Sequence, residues 1–280
     1  VVKKISTRSS LLLAGLTLAA TLFAHGGQAQ VDADHLPLEI TYVANEGFLI
    51  QSGDQKVLID ALFREGVAGY ATVPPTWRDK LEIAQAPFDG VDLILVSHFH
   101  ADHLDPQSVA RHLENNPDAV LISSPQVTER VLAAFLDKPD VQRRIRTVTP
   151  QGSERIRQTV GRIGLEVMHV THGARRASIQ NLGQIVTLGG KKVLHIGDSE
   201  ATAEDFRRLQ LAKESIDVAL LPFWYLTDLE SATLVKKYIH PKHIIAMHIP
   251  PAEADKWTRR IRDVFPDATI AAVPMAKKSF

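Results

Sequence analysis

Residues 97–105 read SHFHADHLD, so three histidines and two aspartates follow directly on the apolar run VDLILV at 91–96. Held at the end of a buried strand without partners, such groups would each cost roughly several kcal/mol. A divalent cation would compensate them. His98, His100, Asp102 and His103 form the pattern H-x-H-x-D-H. Residues two apart on an extended segment point the same way, so His98 and His100 can share one ion. Asp102 and His103, past a turn, can serve a second. Imidazole and carboxylate suit zinc and other borderline divalent ions, and a chain with no cysteine offers no thiolate alternative.

Three further candidates each end an apolar stretch. His172 closes LEVMHVTH, Asp198 closes KVLHIGD after Gly197, and His248 closes HIIAMH. Ends of neighbouring strands lie along one edge of a sheet, where open α/β sheets place ligands. His169 lies an odd number of residues from His172 and so faces the other way on a strand. His240 and His243 flank Pro241 ahead of their strand and are expected on the surface. The competing reading makes SHFHADH a solvated turn and Asp198 a cap for the helix after it. The motif spacing, and a glycine that permits close approach before Asp198, argue against it.

The elements that would position these groups follow from pattern. LEITYVA, GFLIQSG and QKVLIDAL are β-rich and separated by the turns ANEG and SGDQK, which predicts a meander. Residues 61–90 have no clean period and predict a long loop with some helix. VDLILVS predicts a buried strand. PQSVARHLENN predicts a helix with Asp105 as N-cap and Pro106 at its first position. Strand and helix then alternate. QNLGQIVTLGGKKVLHIGD is expected to be a hairpin around Gly189-Gly190, and alternation resumes to a last strand at ATIAAV. No linker interrupts residues 38–280, so one layered α/β domain with two sheets and outer helices is expected.

With 280 residues, 45% hydrophobic and 23% charged, the composition is that of an ordinary globular protein. Basic and acidic side chains number 32 each, so no basic field points to nucleic acid as a partner. The N-terminus is different: the basic VVKKISTRSS, the apolar LLLAGLTLAATLFA, then HGGQAQ with Gly27 and Ala29 at small-residue positions. This is the order of a secretory signal peptide, expected over 1–29, with 30–37 as a lead-in. The apolar run is short for a membrane span, so no stable span is expected after cleavage. Cleavage would remove Lys3, Lys4 and Arg8, leave a mildly acidic chain, and place it in the periplasm or outside the cell.

The set SHFHADH, His172, HIGDS with Asp198 and MHI with His248 resembles the metallo-β-lactamase superfamily, over essentially all of residues 38–280 and including the opening ITYVANEGFLIQSG…KVLID. Within it, GFLI…LID, SHFHADHLD and HIGDS are most similar to the lactonase and phospholipase-D-like hydrolases. The resemblance implies a four-layer αββα sandwich of two mixed sheets with a dinuclear metal site at their edge. It implies that one ion takes His98, His100 and His172, that the other takes Asp102, His103 and His248, and that Asp198 bridges them. True β-lactamases of this fold lack a bridging aspartate at the Asp198 position, so antibiotic hydrolysis is not expected.

Two such ions, zinc or manganese, about 3.5–4 Å apart can lower the pKa of a water between them to near 7. The expected function is an exported hydrolase that directs this hydroxide at a small ester, lactone or phosphodiester, with Asp102 aligning it and accepting its proton. The alternative is a metal-binding protein of the same fold that does not turn over. Asp60, at the end of VLID, is a candidate to orient a ligand histidine, as is Asp105 if it does not only cap its helix. Arg175 with its neighbour Arg176, Tyr225 and His195 are candidate substrate contacts. Tyr70, Trp77, Phe223 and Trp224 are candidates to line a cleft, against ordinary core packing.

Overall fold

The computed structural model describes residues 1–2, 36–135 and 138–280. The expected signal peptide, apart from Val1 and Val2, lies outside these residues, as does most of the lead-in 30–37. Chain contacts divide the protein at Val31/Asp32. The unit Asp32–Phe280 carries all that follows. Among the described residues no helix is long and apolar enough to cross a membrane.

The first half opens with the expected meander, β1 (Glu39–Ala44), β2 (Gly47–Ser52) and β3 (Gln55–Ile59), paired antiparallel in that order. Three parallel strands follow beside β3: β4 (Leu93–Leu95), β5 (Val120–Ser123) and β6 (Ile145–Thr147). The second half repeats this plan. β7 (Arg155–Val160), β8 (Ile163–His169), β9 (Leu182–Leu188) and β10 (Lys191–His195) are antiparallel. β11 (Val218–Pro222), β12 (His243–Met247) and β13 (Thr269–Ile270) then add in parallel. A last strand, β14 (Lys277–Ser279), returns to the first sheet and pairs with β1. The sequence reading missed it, because three exposed polar residues carry no apolar alternation.

The period of two along each strand builds the layers. Ile40, Phe48, Ile59 and Leu95 of the first sheet meet Val167, Val186, Leu220 and Met247 of the second in a single inner core. The alternate residues Leu49, Leu58, Ile94 and Leu121 face outward. They bury against α1 (Pro75–Glu82), α2 (Pro106–Asn115) and α3 (Pro125–Leu132) through Leu81, Leu113 and Val131. On the second sheet, Leu194, Ala219 and Ala246 do the same against Phe206 and Ile261 of the outer helices. The result is the four-layer αββα sandwich.

The segment 61–90, expected as loop with some helix, holds α1 alone, and Arg64 ties its base down. Its guanidinium makes two hydrogen bonds to the buried Glu82 carboxylate, at 2.7 and 2.5 Å, and Ser108 Oγ donates to the same carboxylate at 2.6 Å.

Candidate metal centre

Strand direction decides which ends meet. β3 and β4 are parallel, and β1 runs the same way because two antiparallel steps separate it from β3. In the second sheet β8, β10, β11 and β12 share one direction for the same reason. So the turn after β1, Asp60 after β3 and residues 97–103 after β4 lie along one edge of the first sheet. His172, Asp198 and His248 lie along one edge of the second. The structure brings these two edges together.

All seven expected ligands converge. His98 Nε2 and His172 Nε2 lie 2.9 and 3.3 Å from His100 Nδ1. Asp198 Oδ2 faces this group, 3.7 Å from His98 Nε2 and 3.5 Å from His172 Nε2. Asp198 Oδ1 faces the other group, 3.3 Å from His103 Nε2 and 3.1 Å from His248 Nε2. Asp102 Oδ2 completes that group at 3.5 Å from His248 Nε2. Each carboxylate oxygen of Asp198 therefore addresses a different cluster.

The donors fit a cation. His103 Nε2, His248 Nε2 and Asp198 Oδ1 are buried and have no hydrogen-bond partner among the described residues, although they crowd within 3.1–3.3 Å. Native interiors seldom leave such atoms unsatisfied, and convergent lone pairs are what a divalent ion requires. Among the groups that could hold an ion, two are built from the expected ligands alone: His98, His100, His172 and Asp198, and Asp102, His103 and His248.

Electrostatics separates the two sets. Burial pushes His98 well below the usual imidazole range and lowers His100 and His172, so this group is neutral and ready to ligate. Burial also opposes charge on His248, but the Asp102 and Asp198 carboxylates beside it outweigh this and raise the pKa to about 10. His103 is likewise raised, against burial, by Asp198 and Asp60. Burial opposes charge on Asp198 too, and His103 outweighs it, holding the carboxyl well below its ordinary range.

Behind the ligands lies a hydrogen-bonded backing. Asp60 Oδ2 is 2.8 Å from His103 Nδ1, which fixes that ring with Nε2 toward the centre. Asp60 also accepts from Ser97 N at 2.6 Å and Ser97 Oγ at 2.5 Å. Asp105 caps α2, accepting from Ser108 N at 2.7 Å, and lies 3.7 Å from Arg64 Nε, with no ligand histidine among its partners in the described residues. Asn45 Nδ2 donates to Asp102 Oδ2 at 3.1 Å. Asn45, Asp60 and His248 all hold left-handed backbone, with φ of 49°, 45° and 58°. Such conformations gather where a site demands them. Gly197 is obligatory: with φ at 55°, a Cβ there would meet Asn181 Oδ1 at 2.4 Å and Ser97 Cβ at 2.7 Å.

Three expected substrate contacts are corrected. His195 is fully buried; its Nδ1 accepts from Gly197 N at 3.1 Å and its Nε2 donates to the Glu46 carbonyl at 3.1 Å. It pins the loop before Asp198. Tyr225 is core, with its hydroxyl 3.1 Å from Ser199 Oγ and 3.2 Å from Ala201 O. Arg175 is exposed but does not line the cleft above the ligands; its neighbour Arg176 does. That cleft is about 620 Å³ and is walled by Tyr70 and Trp224, with Glu200 and Arg176 also in its lining. Tyr70 and Trp224 pack edge-on against His248 at 4.1 and 5.2 Å between ring centres. Trp77 packs on Phe88 and Phe223 on Trp257, as ordinary core and helix contacts.

The sequence reading missed Glu46, taken only as part of the turn ANEG. It is fully buried beneath the centre, and burial together with Asp198 raises its carboxyl well above the usual range.

The β-lactamase superfamily domain model matches residues 55–270. A UPF0173 metal-dependent hydrolase of Heliobacterium modesticaldum is 29% identical over 221 residues, covering 75% of this chain and 82% of the relative. Among solved structures, Igni18, a metallo hydrolase from the hyperthermophilic archaeon Ignicoccus hospitalis, superposes with a TM-score of 0.58 at 18% identity. It covers 87% of this chain and 98% of its own. The metallo-β-lactamase fold protein YhfI of Bacillus subtilis gives the same TM-score at 16% identity, covering 87% and 100%. The chain belongs to the metallo-β-lactamase superfamily and is a metal-dependent hydrolase of that fold.

Proposed function

We propose that this member of the superfamily is an exported hydrolase with two divalent ions that cleaves a small ester, lactone or phosphodiester. One observation carries the reading: the two oxygens of Asp198 face two different sets of imidazole nitrogens. One ion would be held by His98, His100 and His172, the other by Asp102, His103 and His248, with Asp198 common to both. Zinc or manganese suits these donors. When bound, the ions supply Lewis acidity and an activated water.

The chain's own residues do the rest. Asp102, steadied by Asn45, is placed to orient the attacking water and take its proton. Burial keeps the Tyr70 phenol protonated at the cleft wall, so it can donate to an oxygen that gains charge. Arg176, the only lysine or arginine among the described lining residues, selects a substrate with an anionic group, and Trp224 packs against its apolar part. The basic, apolar and small-residue order of 1–29 supports export to the periplasm or beyond.

The test is hydrolysis of a panel of lactones, esters and phosphodiesters by protein loaded with zinc or manganese. Activity lost to a chelator and restored by the ion supports the reading. A fully loaded protein that turns over nothing in a broad panel favours a binding protein instead.

A further inference from the structure

Glu46 sits at the tip of the β1–β2 hairpin, a position where a carboxylate would ordinarily face water. Its side chain is fully buried, and neither oxygen has a hydrogen-bond partner among the described residues. One oxygen lies 3.8 Å from His103 Nδ1 and 3.9 Å from His195 Nε2, so no basic group neutralises it directly. An ionised carboxylate buried without a partner costs several kcal/mol, roughly, so Glu46 either keeps its proton or sits beside a compensating charge.

Two sets of neighbours offer a cation a home. The first is Glu46, Asp60 and His195, with donor atoms within 4.8 Å of one another. It fails as a ligand set, because both nitrogens of His195 are engaged and Asp60 already accepts from Ser97 and pairs with His103. The second is Glu46, His103 and Asp198, also within 4.8 Å. Here His103 Nε2, Asp198 Oδ1 and both Glu46 oxygens lack hydrogen-bond partners. The hairpin is held beneath this set by the hydrogen bond from His248 N to Asn45 O at 3.3 Å.

We infer that Glu46 is a further carboxylate ligand of the ion held by Asp102, His103 and His248. The inference rests on the two-ion reading and adds to it a difference between the positions. The position of His98, His100 and His172 is rich in nitrogen, with Asp198 as its one carboxylate. The other draws on Asp102, Asp198 and Glu46, and so is rich in oxygen. Oxygen-rich sites favour manganese over zinc relative to nitrogen-rich ones. The protein is therefore built to hold a zinc-like and a manganese-like ion side by side.

The test compares the full chain with its Glu46→Gln and Glu46→Asp variants, stripped and titrated with Zn²⁺ and Mn²⁺. Bound metal is counted by elemental analysis, and bound Mn²⁺ is followed by electron paramagnetic resonance. The unaltered protein is expected to take two ions. Glu46→Gln keeps nearly the same shape but loses the charge. It is expected to keep the first ion, which also shows that it is folded, and to bind the second on the order of tenfold more weakly or worse. Glu46→Asp, shorter by one methylene, should fall between. A Glu46→Gln protein that binds both ions with unaltered affinity overturns the role of Glu46 while leaving the two-ion reading intact. An unaltered protein that saturates at one ion overturns both.

Discussion

Asp60 and His103 come from different connections of the first sheet, yet Asp60 Oδ2 and His103 Nδ1 meet at 2.8 Å in a fully buried pair. The contact fixes the tautomer of His103 and turns Nε2 toward Asp198. Asp60→Asn keeps the shape but replaces one acceptor with a donor, which cannot serve both Ser97 and His103. Metal affinity should fall by about 10–100-fold, as for other groups that orient a ligand histidine. Competition with a chromophoric chelator measures it, and an unchanged dissociation constant would count against the orienting role.

Protonation of His248 competes with metal. Its pKa in the metal-free protein is raised to about 10, so below that pH an ion must displace a proton. Affinity should therefore rise with pH from neutrality toward 10. The metal-free protein should behave oppositely. A histidine raised in the folded state gives its full stabilisation below its unfolded value near 6.5, and that stabilisation is lost as pH rises through about 10. Calorimetric titration in buffers of different ionisation enthalpy reads the proton release directly. Binding with no released proton at pH 7.5 contradicts the assignment.

Removing metal should lower stability by mass action. Free ion at a hundred times its dissociation constant contributes about 2.7 kcal/mol per site. Thermal unfolding with and without a chelator should show a clear fall in midpoint, which re-added zinc or manganese reverses. Coincident melting curves would mean that the clustered lone pairs hold no ion.

Gly197→Ala tests the close approach before Asp198. A left-handed alanine costs on the order of 1–3 kcal/mol from backbone strain alone, and its Cβ also meets Ser97 and Asn181. The variant should melt lower and lose metal from both positions, since Asp198 serves both. Wild-type stability and metal content together would show that the loop relaxes freely.

The two adjacent arginines should behave differently. Arg176→Ala should raise KM for an anionic substrate by about tenfold or more, the usual worth of a hydrogen bond to a charged group, with little effect on kcat. Arg175→Ala should change neither. Equal effects at the two positions would remove Arg176 from substrate selection.

Much of this site was legible in sequence because metal chemistry concentrates into few residue types. His98, His100, Asp102 and His103 announce themselves within six positions. His172, Asp198 and His248 were found by asking what ends an apolar strand, since chain direction puts those ends on one edge. What stayed hidden depends on contacts between distant segments. Glu46 looks like a turn residue until the approach of β12 to the β1–β2 hairpin places it under the metal centre. Choosing Arg176 over Arg175 needs the path of a short 3-10 turn, which has no readable period. Tyr225 and Trp224 are neighbours in one aromatic run, and only the packing of that turn sends one to the core and the other to the cleft.

The repeated plan of the two halves has a mechanical corollary. Residues 60–103 and residues 172–248 each carry an incomplete set of donors, and Asp198 reaches across to both. Any ion seated there acts as a rivet through the seam, adding to the side-chain packing and to the backbone hydrogen bond from Leu182 N to Ser97 O at 3.0 Å that already join these stretches. Loading with metal should therefore tighten hydrogen exchange along the whole joint, well beyond the residues that touch the ion.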